Sequence, residues 1–250
     1  MVNNTQLKDK SVTVRNAYNL LHGTNLSVKE IDAIIKPHSE ICLKQWIDSN
    51  CTDFSVYSRP EYLSDLYTVF RVSSSGSIHS MFKYFKTKGV DVTKQSIFDD
   101  YNGFGFTTIV MLKNGMTDVN YFNDVGQQSD TFKALCKAYE FEPIEPTVDR
   151  TKIGMYDIYC TFEVAEHFIE PLKYIIGVNS HIKAGGYLVY TAGFSGDTNM
   201  YIGHFREYTV NNKILSARCA SKKVMDFIKE HYTKVYVGFN GCPVIFKKNE

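Results

Sequence analysis

A chain of 250 residues with 44% apolar and 22% charged positions can bury a substantial core, which excludes a disordered or fibrous protein. Its formal net charge of +1 excludes the global basic field that drives non-specific nucleic-acid binding, and leaves open a local patch at most. No apolar run approaches the roughly 20 residues needed to span a bilayer, Met1–Asn16 lacks the apolar centre of a signal peptide, and the six cysteines form no C-x-x-C pair. A cytoplasmic protein with reduced thiols and no membrane contact is expected.

Residues 1–89 read as a helical region. An amphipathic run begins near Val12 and continues through Ala17–His22. Ser27 and Glu30 have the spacing of a capping box ahead of Ile31, Ile34 and Ile35. Lys36-Pro37 is expected to stop that helix, with another carrying Ile41, Leu43, Trp46 and Ile47. A further helix is expected from Glu61, and Ser73–Gly76 reads as a break. Ile78, Met81, Phe82 and Phe85 then repeat at helical spacing.

At Val90 the pattern changes to alternating strands and helices. Ser96–Asp99 is a short apolar strand, 100–105 a turn bearing Gly103 and Gly105, and Phe106–Leu112 a helix. Val119–Phe122 is a second strand with Asp124 beyond its end, followed by a helix over Gln128–Tyr139 and a weak third strand within Pro143–Val148. Tyr156–Cys160 is a buried-type strand, Ile169–Ile182 a helix, Gly185-Gly186 a break, and Tyr187–Ala192 another strand. Such βαβ units require a parallel sheet covered on both faces. After a last helix over Ser221–His231, two β-rich runs flank Asn240-Gly241, which signals an antiparallel hairpin.

A strand, a glycine turn and a helix start make a site for the polar end of a nucleotide-like ligand, because glycine admits close backbone approach and the helix start offers unpaired N–H groups. An acid some 20 residues further on, at the end of the next strand, can accept from ribose hydroxyls, and Asp124 fits. Three features resemble the class I S-adenosylmethionine-dependent methyltransferases: the turn Asp99-Asp100-Tyr101-Asn102-Gly103-Phe104-Gly105, the Glu163-Val164-Ala165-Glu166-His167 run with Leu172 to Leu188 behind it, and the closing hairpin. The family's turn reads D-x-G-x-G-x-G, so Tyr101 stands where its first glycine belongs, and Ala184 replaces the usual proline before Gly185-Gly186. The resemblance implies a seven-stranded, mostly parallel Rossmann-like sheet over 90–250 and a bound S-adenosylmethionine. By the same resemblance Asp99 anchors the methionine amino group, Gly103 and Gly105 permit its approach beside Tyr101, and Asp149 contacts the adenine amino group.

Thr161, Phe162 and Glu163 follow the fourth strand, where the ligand cleft opens. The Asn/Asp-Pro-Pro-aromatic turn of amino-directed DNA methyltransferases and the Pro-Cys of cytosine-C5 enzymes are both missing there. Glu163, Glu166 and His167 have the spacing of one helical face. His204 can return to the same cleft, and His167, His204 and Glu163 are the candidate catalytic groups. Glu163, Glu166, His167 and His204 also resemble the divalent-metal site of small-RNA 3′-terminal ribose methyltransferases. The other reading is an acid cap on a helix with a locally packed histidine.

The added helical region is expected to cover the cleft, to form a contact in a homodimer, or both, with Arg59, Tyr62, Tyr67 and Arg71 within reach of a substrate or simply in core and surface roles. Residues Gly193–Tyr208 form a second loop on the acceptor side, long enough for a lid. The leading expectation is methyl transfer to O or N of a small molecule (a sugar, nucleotide or metabolite). The alternatives are a metal-dependent RNA ribose 2′-O-methyltransferase, with nucleic acid as partner, and an inactive methyltransferase-fold binding protein in which Tyr101 fills the methionine pocket.

Overall fold

A computed structural model describes residues 13–59, 61, 75–100, 103–123, 126–195, 201–238 and 241–250. The helix expected from Glu61 onward, with Tyr62, Tyr67 and Arg71, and the positions Tyr101 and Asp124 therefore lie outside the described residues.

Helix α1 (Val14–His22) is capped by Thr13, whose hydroxyl accepts from the Asn16 N–H. Helix α2 (Val28–Asp48) opens on the expected capping box, with Ser27 Oγ accepting from the Glu30 N–H and the Glu30 carboxylate from the Ser27 N–H. It does not stop at Pro37, as the sequence pattern suggests, but runs through it. A proline inside a helix costs about 3 kcal/mol. Burial of Ile31 and Ile35 before it, and of Cys42 and Trp46 after it, offsets this. Helix α3 (Ser75–Thr87) buries Ile78, Met81 and Phe85.

Among the described residues eight strands follow: β1 (Ile97–Asp100), β2 (Val119–Phe122), β3 (Tyr156–Phe162), β4 (Ile182–Thr191), β5 (Glu207–Val210), β6 (Lys213–Ser216), β7 (Tyr232–Val237) and β8 (Val244–Lys248). Between them run α4 (Phe106–Lys113), α5 (Gly126–Ala138), α6 (Pro171–Ser180) and α7 (Ala217–His231). Six strands form the main sheet in the order β2-β1-β3-β4-β8-β7. The first four are parallel, and β8 runs antiparallel between β4 and β7, the hairpin foreseen around Asn240-Gly241.

The weak strand over Pro143–Val148 reduces to one parallel bridge, Thr147 to Phe122. Pro143 and Pro146 both precede Thr147 and have no N–H to extend a ladder, which confines this segment to an edge contact beside β2. The Gly185-Gly186 break is instead part of β4, where a register shift against β3 lies between Tyr156 and Ile158. Helix α6 starts later than the apolar pattern implies because Pro171 occupies its first turn.

Both sheet faces are covered. Helices α1 to α5 pack on one, with Ile97, Ile158, Cys160, Val189 and Ile245 beneath them. Helices α6 and α7 pack on the other, over Phe98, Tyr159, Leu188, Tyr190 and Phe246. No helix among the described residues is long and apolar enough to cross a membrane.

Alternation along β1 sends its last two residues to opposite faces. Asp99 accepts from the hydroxyls of Thr107 and Thr108 on α4, the latter at 2.8 Å. Asp100 meets Arg150, with Nη2 to Oδ1 at 2.7 Å and Nη1 to Oδ2 at 3.2 Å, and accepts from the Tyr159 and Tyr174 hydroxyls, each at 2.8 Å. Burial works against the Arg150 charge, but Asp100 outweighs it and holds the guanidinium above its ordinary value. Breaking a buried, hydrogen-bonded pair costs about 3–5 kcal/mol because the partner charge is stranded. Asp100→Ala is therefore expected to lose about that much stability in denaturant unfolding, far more than Asp157→Ala at the half-exposed Lys183 pair.

Candidate functional site

Parallel strands end at one edge of the sheet, and in folds of this class ligands sit beyond that edge. Two groups of side chains gather there.

The first is the glycine turn after β1. Gly103 and Gly105 have φ of 59° and 88°, in the left-handed region that glycine tolerates. A Cβ on Gly105 would lie 1.9 Å from Phe132 Cδ2, so this glycine is required for packing α4 against α5. Asp99 sits beneath the turn, 1% exposed. Asn123, at the end of β2, donates to the Gly103 carbonyl and, at 3.2 Å, to Gln128 Oε1. Gln128 Nε2 in turn reaches the Tyr57 carbonyl at 3.4 Å. Asp149 caps a 3₁₀ turn, Arg150–Lys152, accepting from the Thr151 N–H at 3.0 Å and hydroxyl at 2.7 Å. Thr161 is buried, and its hydroxyl lies 2.9 Å from that of Tyr174, beside Asp100, while Phe162 belongs to the core on the α1-to-α5 face.

The second group is the acidic turn after β3. Glu163, Glu166 and His167 do not share a helical face as expected. Glu163 has a φ of 55°, and its N–H still donates to Thr191 of β4, which prolongs the strand pairing by one residue. A 3₁₀ turn, Ala165–His167, follows. Glu166 is fully buried, and its Oε1 accepts from the Gly193 N–H at 2.8 Å. Desolvation, then the nearby Glu163 charge, push its carboxyl well above the ordinary glutamate value. Its Oε2 has no hydrogen-bond partner among the described residues, nor has Nδ1 of His204.

His167 and His204 pack edge to face, with ring centroids 5.0 Å apart. Burial pushes them down to about 3 and about 4, so both imidazoles are neutral at physiological pH. Ligating atoms of Glu166, His167 and His204 all lie within 4.8 Å of one another. The expected convergence of these three is thus present, and Glu163 adjoins them through Gly193, where its Oε2 would be 3.0 Å from an added Cβ.

Tyr57 was not signalled by any motif. It lies in a 3₁₀ turn, Phe54–Ser58, beyond α2, and its hydroxyl is 3.2 Å from His167 Nδ1. The opposing Gly203, at φ 78°, leaves no room for a side chain, since a Cβ would fall 1.8 Å from the Tyr57 oxygen. The helical region therefore covers the acidic turn, supported by Trp46, Cys42 and Val56 packing on Ile202 and Phe205. Residues 110 apart in sequence meet here, and no local pattern encodes that. The β5–β6 hairpin was also missed, although Asn211-Asn212, at φ 50° and 60°, is a usable two-residue turn signal between Tyr208-Thr209-Val210 and Lys213-Ile214-Leu215.

Solved structures with a similar fold include the CurJ carbon methyltransferase, with a TM-score of 0.60 and 12% identity over 94% of this chain and 70% of that one. PigF, in a structure with SAH, gives 0.54 and 11% over 88% and 70%. An S-adenosylmethionine-dependent methyltransferase from Clostridium acetobutylicum ATCC 824 gives 0.42 and 13% over 51% and 54%, so this chain spans about half of its length. No protein-family model matches the chain, and no curated protein matches its sequence. The fold is that of the class I methyltransferases.

A carboxyl with a raised value in the folded state binds its proton more tightly there than in the unfolded chain. Its contribution is fully present below the ordinary value of 4.5 and is lost as pH rises through the folded value. Glu166→Gln keeps the acceptor for Gly193 and removes that loss. Thermal melts are expected to show the variant gaining on the parent progressively as pH rises above 4.5.

Proposed function

We propose that the protein is an S-adenosylmethionine-dependent methyltransferase that acts at O or N of a small molecule. One observation carries this reading. The turn after β1 carries glycines over a buried aspartate, and the turn after the neighbouring parallel strand β3 brings the half-buried His167 against the buried His204, both neutral, at the same sheet edge. The fold shared with the CurJ methyltransferase and with PigF supports it.

In this reading the turn at Gly103–Gly105 admits the methionine end of the cofactor. Asp99 supplies negative charge for the amino group, and Asp124 accepts from the ribose. Tyr101, Asp149, Thr161 and Phe162 are the remaining wall candidates. The acceptor lies beside the acidic turn. Its oxygen or nitrogen bonds to the methyl carbon as the carbon–sulfur bond breaks, leaving S-adenosylhomocysteine. The acceptor proton becomes strongly acidic as that bond forms, so an imidazole of low basicity is sufficient to take it. His167 or His204 fills that role, and Glu163 stabilises the imidazolium. The remaining task is alignment, which rigid strand ends perform well.

A second reading adds a divalent metal. The unpartnered Glu166 Oε2 and His204 Nδ1, with His167 beside them, form a donor set of one carboxylate and two imidazoles that fits Mn²⁺ or Zn²⁺. Such an ion would polarise a hydroxyl bound next to it, as the ribose-methylating alternative requires.

Calorimetry with S-adenosylhomocysteine tests the first reading. The parent is expected to bind, and Asp99→Asn and Asp124→Ala each to weaken binding roughly tenfold or more. Unchanged affinity in both variants would refute the placement, and no binding of cofactor or product by the parent would leave a non-catalytic binding protein. For the second reading, Mn²⁺ is expected to raise the melting temperature with increasing concentration, and Glu166→Gln to abolish the rise. An EDTA-treated enzyme of full activity would remove the metal from the reaction.

A further inference from the structure

A pocket of about 750 Å³ opens between the end of α2, the acidic turn and the start of β5. It has the size of a small-molecule site. His167 lines it, while Gly103 and Gly105 do not, so it is separate from the glycine turn. Its walls are Phe54, Phe168, Ile169 and Phe205. Phe54 and Ile169 are 47% and 48% exposed, which is costly for large apolar side chains unless something covers them.

Each ring is braced from behind. Phe168 stacks on Tyr174 with centroids 4.4 Å apart and planes at 10°, and Tyr174 is held by Asp100. Phe205 lies edge-on to Tyr208 at 5.6 Å and to Trp46 at 6.2 Å. Phe54 meets Trp46 at 5.4 Å and stacks on Tyr57 at 6.1 Å. The walls therefore do not have to be ordered when a ligand enters, which removes part of the usual cost of binding.

The polar lining groups, Asn50, Thr52, Arg206 and Glu207, are all exposed and sit toward solvent. A sugar carries hydroxyls on every edge and would find few partners on three phenyl rings and an isoleucine. A planar ring matches those walls, and a single polar substituent meets His167.

We infer that this pocket binds a planar aromatic compound bearing a hydroxyl group, with the ring among Phe54, Phe168 and Phe205 and the hydroxyl toward His167. That the compound is the methyl acceptor rests on the function proposed above; that it binds does not.

Trp46 is the chain's one tryptophan and touches two of the three wall rings, so its fluorescence reports on the pocket without any need for turnover. The full-length protein would be titrated with p-cresol and with its saturated counterpart methylcyclohexanol, each with and without S-adenosylhomocysteine. The expected result is a saturable change with p-cresol and about tenfold weaker binding of methylcyclohexanol, from ring–ring interactions. Phe54→Leu, at a half-exposed position, is expected to weaken p-cresol several-fold while leaving the melting temperature in place. Equal affinity for the two compounds, or no saturable response to either in both conditions, would overturn the inference. Calorimetry with S-adenosylhomocysteine is read separately, so failure of the cofactor site and failure of this pocket give different outcomes.

Discussion

The structure turns on one buried carboxylate. Asp100 ends the first strand of the sheet and gathers the Arg150 guanidinium and the hydroxyls of Tyr159 and Tyr174. Those partners come from β3, from α6 and from the segment that follows the Thr147 bridge. Taking the Asp100 charge out of water is expensive, and it is sustained because Oδ1 accepts from Arg150 and Oδ2 from Arg150, Tyr159 and Tyr174, while Arg150 keeps part of its side chain in solvent. Arg150 also lies over the Phe122 ring at 4.2 Å and near Phe168 and Tyr174, both at 5.5 Å. A single ionic cluster thus ties the ends of β1 and β2 to the middle of β3 and to one wall of the aromatic pocket.

The same strand end serves two purposes because of its pleat. Asp99 faces α4 and the glycine turn, and Asp100 faces α6. Had the pair been read as one acidic motif, their separation by the sheet would have been lost. A carboxylate beside the glycine turn and a carboxylate securing the fold are adjacent in sequence and isolated in space. This is why their substitutions are expected to be read by different measurements, affinity for one and stability for the other.

The sheet was legible because its signals are local. Val119–Phe122 matches its strand residue for residue, Ser27 and Glu30 close the expected capping box, and the apolar runs around Asn240-Gly241 pair as a hairpin. Pro37 misled because propensity is a weak force beside the burial of Ile31, Ile35, Cys42 and Trp46. The acidic turn was legible in composition and not in shape: Glu166, His167 and His204 converge, but through a left-handed Glu163 and a 3₁₀ turn. Tyr57 and Arg150 could not be read at all. Each acquires its role from contacts across 110 and 50 residues, and neither sits in a pattern that a window along the chain would notice.

The covering segment does more than shield the acidic turn. Asn123 joins the Gly103 carbonyl to Gln128, Gln128 reaches the Tyr57 carbonyl, and the Tyr57 hydroxyl meets His167. This chain of hydrogen bonds runs from the glycine turn to the imidazole pair through a single residue of the helical region. Gly203 on the other side has to be a glycine, since a Cβ there would fall 1.8 Å from the Tyr57 oxygen. If the cofactor lies against the first end of this chain and the acceptor against the second, ordering of either ligand acts on the position of Tyr57, and through it on the other. On the function proposed above, the helical region is then a positioning element of the transfer itself, because alignment of two bound reactants is the part of the reaction left for the protein to supply.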